Sequence, residues 1–343
     1  MADPQSTRMF QEAADAANAV ERQLAANAEA AAALAAELRA GHPRGVHTCA
    51  RGSSDHAATF AKYLIETRLG VLTTSAAPSI SSVYGTATDF SGMLAIGISQ
   101  SGKSPDILAV MRAARQGGAR TLALVNVADS PLAAEADVTL PLHAGPELSV
   151  AATKSYIASL AGLLHLVARW ADDADLLEAV LASPALLRAA WQCDWSPLVE
   201  RLHKARGLYV IGRGVGFGIA QEAALKFKET CGLHAEGFSA AEVQHGPMAL
   251  VGAGFPILAF SQSDDTRSSI EKVAGEFAAR GANVLLAGGK APGARTLPVI
   301  DAHAVIEPML MIQSFYRFAA ALAEARGFDP DVPPHLRKVT ETV

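Results

Sequence analysis

Two short stretches hold residues whose types and spacing could do chemistry. GISQSGKS (97–104) places serines, a glutamine and a lysine between the apolar run GMLAIGIS (92–99) and SPDILAVMRAARQGG (104–118), whose apolar residues recur at helical spacing. A loop feeding a helix N-terminus presents unpaired backbone N–H groups and a positive dipole end, so an anion belongs there. The same letters satisfy the nucleotide-loop pattern G-x-x-x-x-G-K-[ST]. The second stretch, EAALKFKET (222–230), spaces Glu222, Lys226 and Glu229 at i, i+4 and i+7, on one helix face. A carboxylate held by a lysine can move a proton; the plainer alternative is a solvated salt-bridge face.

From residue 45 the chain alternates short apolar strands, glycine loops and amphipathic helices, and it does so twice. GVHTCARGSSDHAATFAKYLIE (45–66) has a counterpart in GLYVIGRGVGFGIAQEAALKFKE (207–229). Arg51-Gly52 matches Arg213-Gly214, and Ser99-Gln100-Ser101 matches Ser261-Gln262-Ser263, both at an offset of 162 residues (213 − 51 and 261 − 99). A shared offset implies duplication of an α/β unit with parallel sheets covered by helices on both faces. The predicted organisation is an Ala-rich helical segment over 1–40, an α/β domain over 41–170, a proline-interrupted helical connection over 171–205, a second α/β domain over 206–330 and an extended tail over 331–343.

The duplication decides between the two anions. A nucleotide loop needs an acidic residue ending another apolar strand to hold Mg²⁺. The strand ends TLALVN, LYVIGRG, ILAFSQS and VLLAGG offer none. The second copy keeps the Ser-Gln-Ser turn but replaces Gly102-Lys103 by Asp264-Asp265, which would repel phosphate. One cradle is kept and its twin altered, so Ser99, Gln100, Ser101 and Ser104 read as donors around one monophosphate.

Bulk composition narrows the function further. Half of the 343 residues are hydrophobic and the net charge is −5, without a basic stripe, which disfavours a nucleic-acid partner. The three cysteines, Cys49, Cys193 and Cys231, are too scattered for a disulfide framework or a metal site and read as reduced residues of a cytoplasmic protein. The N-terminus lacks a secretory pattern, and ASLAGLLHLVARW (158–170) is too short to span a bilayer. Neither a membrane nor a metal or cofactor is expected.

RGSSDHA (51–57), SQSGKSPD (99–106), ELSVAATKSY (147–156), EAALKFKETCGLHAE (222–236), VQHGPMALV (243–251) and HLRKVTETV (335–343) together resemble the double sugar-isomerase (SIS) domain family, specifically the isomerase half of glucosamine-6-phosphate synthase and the stand-alone SIS-type deaminases. The resemblance implies two tandem SIS domains of flavodoxin-like α/β type, and a hexose 6-phosphate or amino sugar phosphate as substrate. It places the phosphate on Ser99, Gln100, Ser101 and Ser104, sugar contacts on Ser53 and Ser54, and main-chain contacts on Val150 and Ala151. Where the family pattern has a serine, this chain has Ala152, which removes a hydroxyl contact to the sugar. Glu229 matches the proton-shuttling base, on one face with Lys226 and Glu222. His245 matches the histidine that opens the sugar ring and is supplied to the neighbouring subunit, which implies a homodimer. Lys338 matches the tail lysine that forms a Schiff base with the open-chain carbonyl. His234 is a weaker candidate with a structural reading.

The synthase draws ammonia from a glutaminase with an N-terminal cysteine. This sequence starts MADPQ and its first cysteine is Cys49, so that route is expected to be absent. The expected reaction is then deamination of glucosamine 6-phosphate to fructose 6-phosphate and ammonia. Action on another amino sugar phosphate or a 6-phosphofructosyl amine, or phosphosugar sensing without catalysis, are the alternatives.

Overall fold

The structure, a computed structural model, describes residues 4–338. The first three residues of the expected N-terminal segment and residues 339–343 of the expected tail lie outside the described residues. The strands are β1 (Gly45–Cys49), β2 (Thr73–Ser75), β3 (Met93–Ser99), β4 (Arg120–Val125), β5 (Val138–Pro141), β6 (Gly207–Gly212), β7 (His234–Ser239), β8 (Pro256–Phe260), β9 (Asn283–Ala287) and β10 (Arg295–Leu297). They form two five-stranded sheets, in which every pairing is parallel. The first sheet is ordered β2-β1-β3-β4-β5, and the second, read from its matching edge, β7-β6-β8-β9-β10. Both orders are 2-1-3-4-5 in local numbering, so the duplication seen in the sequence extends to topology. In this order the connections leave the first and third strands in opposite directions, and a crevice opens beyond their carboxyl ends.

The chain divides into two compact units. The first unit holds the first sheet and comprises residues 18–147, 154–182 and 337–338; the second holds the second sheet and comprises 4–17, 148–153 and 183–336.

In the first unit nearly every residue of β3 and β4 is buried, as a sheet covered on both faces requires. Ala95, Ala123 and Val125 face Ile107, Val110, Met111 and Ala114 of the helix Pro105–Gln116. The helices Ser53–Leu69 and Lys154–Trp170 pack on one another. The Ala-rich N-terminal segment forms three consecutive helices, and the last, Ala28–Gly41, buries Ala31, Leu34, Ala35 and Leu38. These four lie at i, i+3, i+4 and i+7, one helical stripe, and the helix packs on Lys154–Trp170. Alanine lets two backbones approach closely, and Leu34 and Leu38 supply most of the apolar area, about 1.5–3 kcal/mol each when fully buried.

In the second unit, Ile270, Val273, Ala274 and Phe277 of the helix Arg267–Ala279 close one face over Ile257, Ala259, Val284 and Leu286. The helices Gly216–Cys231 and Glu307–Ala325 pack together, with the rings of Phe227 and Phe315 edge to face at 5.1 Å. Residues 171–205 form the helix Ala174–Trp191, with Pro184 inside it, and two short helical turns. The start of the tail is irregular and anchored: the Asp331 carboxylate accepts the N–H groups of Arg8 (2.8 Å) and Met9 (2.7 Å), where a helix N-terminus favours negative charge. Among the described residues, no helix is long and apolar enough to cross a membrane.

Candidate functional site

In the first unit the loop after β3 and the loop after β1 leave adjacent, oppositely wound strands, and each feeds a helix. Ser53 and Ser54 form the first turn of the helix Ser53–Leu69, directly after Gly52, rather than lying within the glycine loop. Ser99 ends β3, buried, and its hydroxyl accepts the Gly102 N–H at 3.0 Å. The Ser101 hydroxyl accepts the Lys103 N–H at 3.4 Å, and Ser104 is the N-cap of the helix Pro105–Gln116 without a side-chain capping bond. Gly102 is required here twice over. Its φ is +65°, and a side chain would run into the Ser130 hydroxyl and within 2.9 Å of Val125. The two loops are tied by Arg51, whose Nε donates to Asp106 at 2.8 Å; Asp106 is buried and also accepts its neighbour's Ile107 N–H at 2.8 Å.

The twin loop in the second unit explains by contrast what the first one keeps open. There Gln262 Nε2 lies within hydrogen-bond distance of Arg213 O (2.8 Å), Asp264 (2.9 Å) and Thr266 (2.9 Å). The Ser263 N–H and hydroxyl both donate to Glu307, at 2.6 and 2.7 Å, and the Thr266 N–H donates to Asp264 at 2.8 Å. The twin's donors are thus spent on the protein's own carboxylates. Gln100 and Ser104, the counterparts of Gln262 and Thr266, make no side-chain hydrogen bond with any described residue. The sequence pointed to Asp264 and Asp265 as repelling a phosphate; Asp264 does more, and together with Glu307 it takes up the donors.

Lys338 lies in the first unit with its ammonium 3.2 Å from Glu147. That carboxylate is fully buried and also accepts the Ser155 N–H (3.1 Å) and hydroxyl (2.6 Å). Glu147 stood in a motif already singled out but was not itself picked; a pairing across 191 residues leaves no local signal.

In the second unit the helix Gly216–Cys231 confirms the spacing of Glu222, Lys226 and Glu229 on one face, and that face is not a solvated one. Lys226 and Glu222 are completely buried and 3.3 Å apart, while Glu229, also paired with Lys226, keeps its side chain 21% exposed. Tyr316, buried on the helix Glu307–Ala325, donates its hydroxyl to Glu222 at 3.0 Å. Burial alone would lower the Lys226 pKa, but the charges and hydrogen bonds of Glu222 and Glu229 outweigh it and hold the ammonium above its ordinary value. Both carboxylates lie beside the Lys226 ammonium: Glu222, buried, also accepts from Tyr316, and Glu229 is the one with an exposed part.

The remaining predicted residues are also in the second unit. His245 is exposed, after the short turn Glu242–Gln244, and its side chain has no partner among the described residues. His234 begins β7, paired with Gly207 at the start of β6, so it lies at the amino end of the sheet, opposite the strand ends from which binding loops leave. The Val150 N–H donates to Asp331 O at 3.2 Å, and Ala151 O accepts the Ser149 hydroxyl at 3.0 Å. Ala152 is half-buried.

Comparison with known proteins gives a consistent result. The SIS domain model matches residues 44–169 and 201–290. Glutamine–fructose-6-phosphate aminotransferase (isomerizing) of Thermotoga maritima is 36% identical over 265 residues, covering 72% of this chain and 43% of that protein. The chain spans about half the length of the curated relatives it matches. Among solved structures, a candidate phosphosugar isomerase from Silicibacter pomeroyi DSS-3 is 44% identical with a TM-score of 0.91, covering 95% of this chain and 100% of the other. The C-terminal domain of glucosamine-fructose-6-phosphate aminotransferase from Francisella tularensis is 25% identical with a TM-score of 0.85, covering 96% and 98%. With a duplicated 2-1-3-4-5 sheet and family matches over both copies, the chain belongs to the SIS domain family.

Proposed function

We propose that this chain is a phosphosugar aldose–ketose isomerase whose substrate carries nitrogen, and that it converts glucosamine 6-phosphate to fructose 6-phosphate and ammonia. Glu229 carries this reading: it is a partly exposed carboxylate set by a buried ammonium that a second, buried carboxylate keeps neutralised. Ser99, Gln100, Ser101 and Ser104 hold the phosphate, with Ser53 and Ser54 near the sugar hydroxyls; the unspent donors of this loop, against the filled twin, support that assignment. His245 opens the ring, and its exposure suits donation to a second copy's site. Val150 and Ala151 serve through their backbone.

Glu229 takes the proton from C2 of the open-chain amino aldose and returns it to C1, which leaves a ketimine at C2. Water adds to C2, the C–N bond breaks, and ammonia departs with the ketose phosphate. For Lys338 to attack a carbonyl it must first lose a proton, and Glu147, 3.2 Å away, is the acceptor at hand.

The test is ammonia release from glucosamine 6-phosphate by the purified protein beside Glu229→Gln. Release that disappears in the variant supports the reaction and its base together. Phosphosugar binding without any turnover by the unaltered chain would overturn the proposal.

A further inference from the structure

Asp55 stands in the first unit, in the first turn of the helix Ser53–Leu69, directly after Ser53 and Ser54. That helix follows β1, whose last residue, Cys49, is in register with Gly97 on β3, shortly before Ser99 begins the phosphate loop. Neighbouring strands lie about 5 Å apart, so the two loops leave side by side.

Two carboxylates stand at this pair of loops, and the chain treats them differently. Asp106 is buried and bonded twice, to Arg51 Nε and to the Ile107 N–H, both at 2.8 Å. Asp55 is half-buried and makes no hydrogen bond or ion pair with any described residue. Burial raises its pKa, against the opposing pull of His56 and Arg51. Cys49, also close by, stays a neutral thiol, its pKa pushed up to about 12 chiefly by burial. A first-turn carboxylate can offset the helix dipole, but an exposed one does so without the cost of desolvation. What Asp55 lacks is a bonded cation.

The second copy points the same way. Val215, Gly216 and Phe217 stand where the first copy has Ser53, Ser54 and Asp55, again at an offset of 162 residues (217 − 55). The copy whose loop donors are spent on its own carboxylates has an aromatic ring at this position. The copy with open donors has a carboxylate. A phosphate held after β3 leaves the carbon chain of a hexose 6-phosphate to extend across the neighbouring loop. Of the groups such a chain can carry there, an amine is the cationic one at neutral pH.

We propose that Asp55 is a specificity-determining residue, which pairs with the ammonium of an amino sugar phosphate. This rests on the phosphosugar reading of the same loops. The Arg51–Asp106 bond makes the selection possible, because it occupies the nearby guanidinium and leaves Asp55 to the substrate. A hydroxyl in place of the ammonium can donate a hydrogen bond but leaves the carboxylate's charge unmatched. The preference is therefore electrostatic and acts in binding, before any proton moves.

The experiment measures Kd by calorimetry for 2-amino-2-deoxyglucitol 6-phosphate and glucitol 6-phosphate, open-chain analogues without a carbonyl that cannot turn over. The parent chain is expected to bind the amino compound about tenfold or more tighter. In Asp55→Asn, close in shape and uncharged, that preference should fall towards unity while glucitol 6-phosphate binds as before. Equal affinities in the parent, a preference that survives Asp55→Asn, or a variant that weakens both analogues alike would overturn the assignment and leave the phosphate reading standing. If neither analogue binds the parent chain, the phosphate reading and the role of Asp55 fall together.

Discussion

Replacing Lys226 by Met tests whether the buried charge cluster is built as described. Methionine is close in volume, so packing contributes little, below about 1.5 kcal/mol. What changes is electrostatic. Glu229 can rehydrate through its exposed part, but Glu222 is fully buried and would lose its counter-charge, while the Tyr316 hydroxyl at 3.0 Å supplies a bond to a charged group worth about 1.5–3 kcal/mol. Removing one partner of a buried pair costs about 3–5 kcal/mol, and the figure applies to Glu222 here. Without its counter-charge, burial raises the folded-state pKa of Glu222 in the variant above its unfolded value near about 4.3. A carboxylate raised in this way favours folding below the unfolded pKa and disfavours it as pH rises, so the deficit grows from pH 5.5 to pH 8. Urea unfolding at the two pH values reads this directly. Adding Glu222→Gln to Lys226→Met should return most of the loss, because an amide still accepts from Tyr316 and carries no charge. A single variant within about 1 kcal/mol of the parent at pH 8, or a deficit indifferent to pH, would refute the account.

Gly102→Ala, at φ +65° and against Ser130, is expected to reduce stability by about 1–3 kcal/mol and to weaken phosphosugar binding, measured by calorimetry. His165 is buried and accepts Arg169 Nε at 2.8 Å; burial, then the Arg169 charge, holds its pKa down to about 4. A depressed histidine contributes stability that is present above its unfolded pKa near about 6.5 and lost as pH falls through 4, on the order of 3 kcal/mol. His165→Gln, which keeps an acceptor for Arg169, should flatten that acid limb in denaturation curves. Burial pushes the thiols of Cys49 and Cys231 up to about 12, while Cys193 is partly exposed, so a thiol reagent should label one cysteine in the native chain and three after unfolding.

What could be read from the sequence was whatever repeats or recurs locally. The offset of 162 residues foretold two like-ordered sheets, and the i, i+4, i+7 spacing put Glu222, Lys226 and Glu229 together. Burial of that face was not visible in the helix alone, because Tyr316, which closes it, lies 94 residues from Glu222. The same limit hid Glu147 beneath Lys338 and Glu307 in the twin loop. Each of these pairs is made by tertiary packing between elements far apart in the chain, and no periodicity within either element encodes the meeting. The short turn Glu242–Gln244 likewise shows where His245 stands without showing what it meets.

Glu307 and Asp264 occupy the donors of the second loop permanently, and this gives the two copies different thermodynamic dependence on metabolite supply. A sugar phosphate in the first loop would stabilise the first unit by RT ln(1 + [L]/Kd), about 2.7 kcal/mol at a hundredfold excess over Kd. The second loop carries its own anion covalently, so its ordering is indifferent to the pool. Starvation would therefore loosen the first loop and leave its twin as it was.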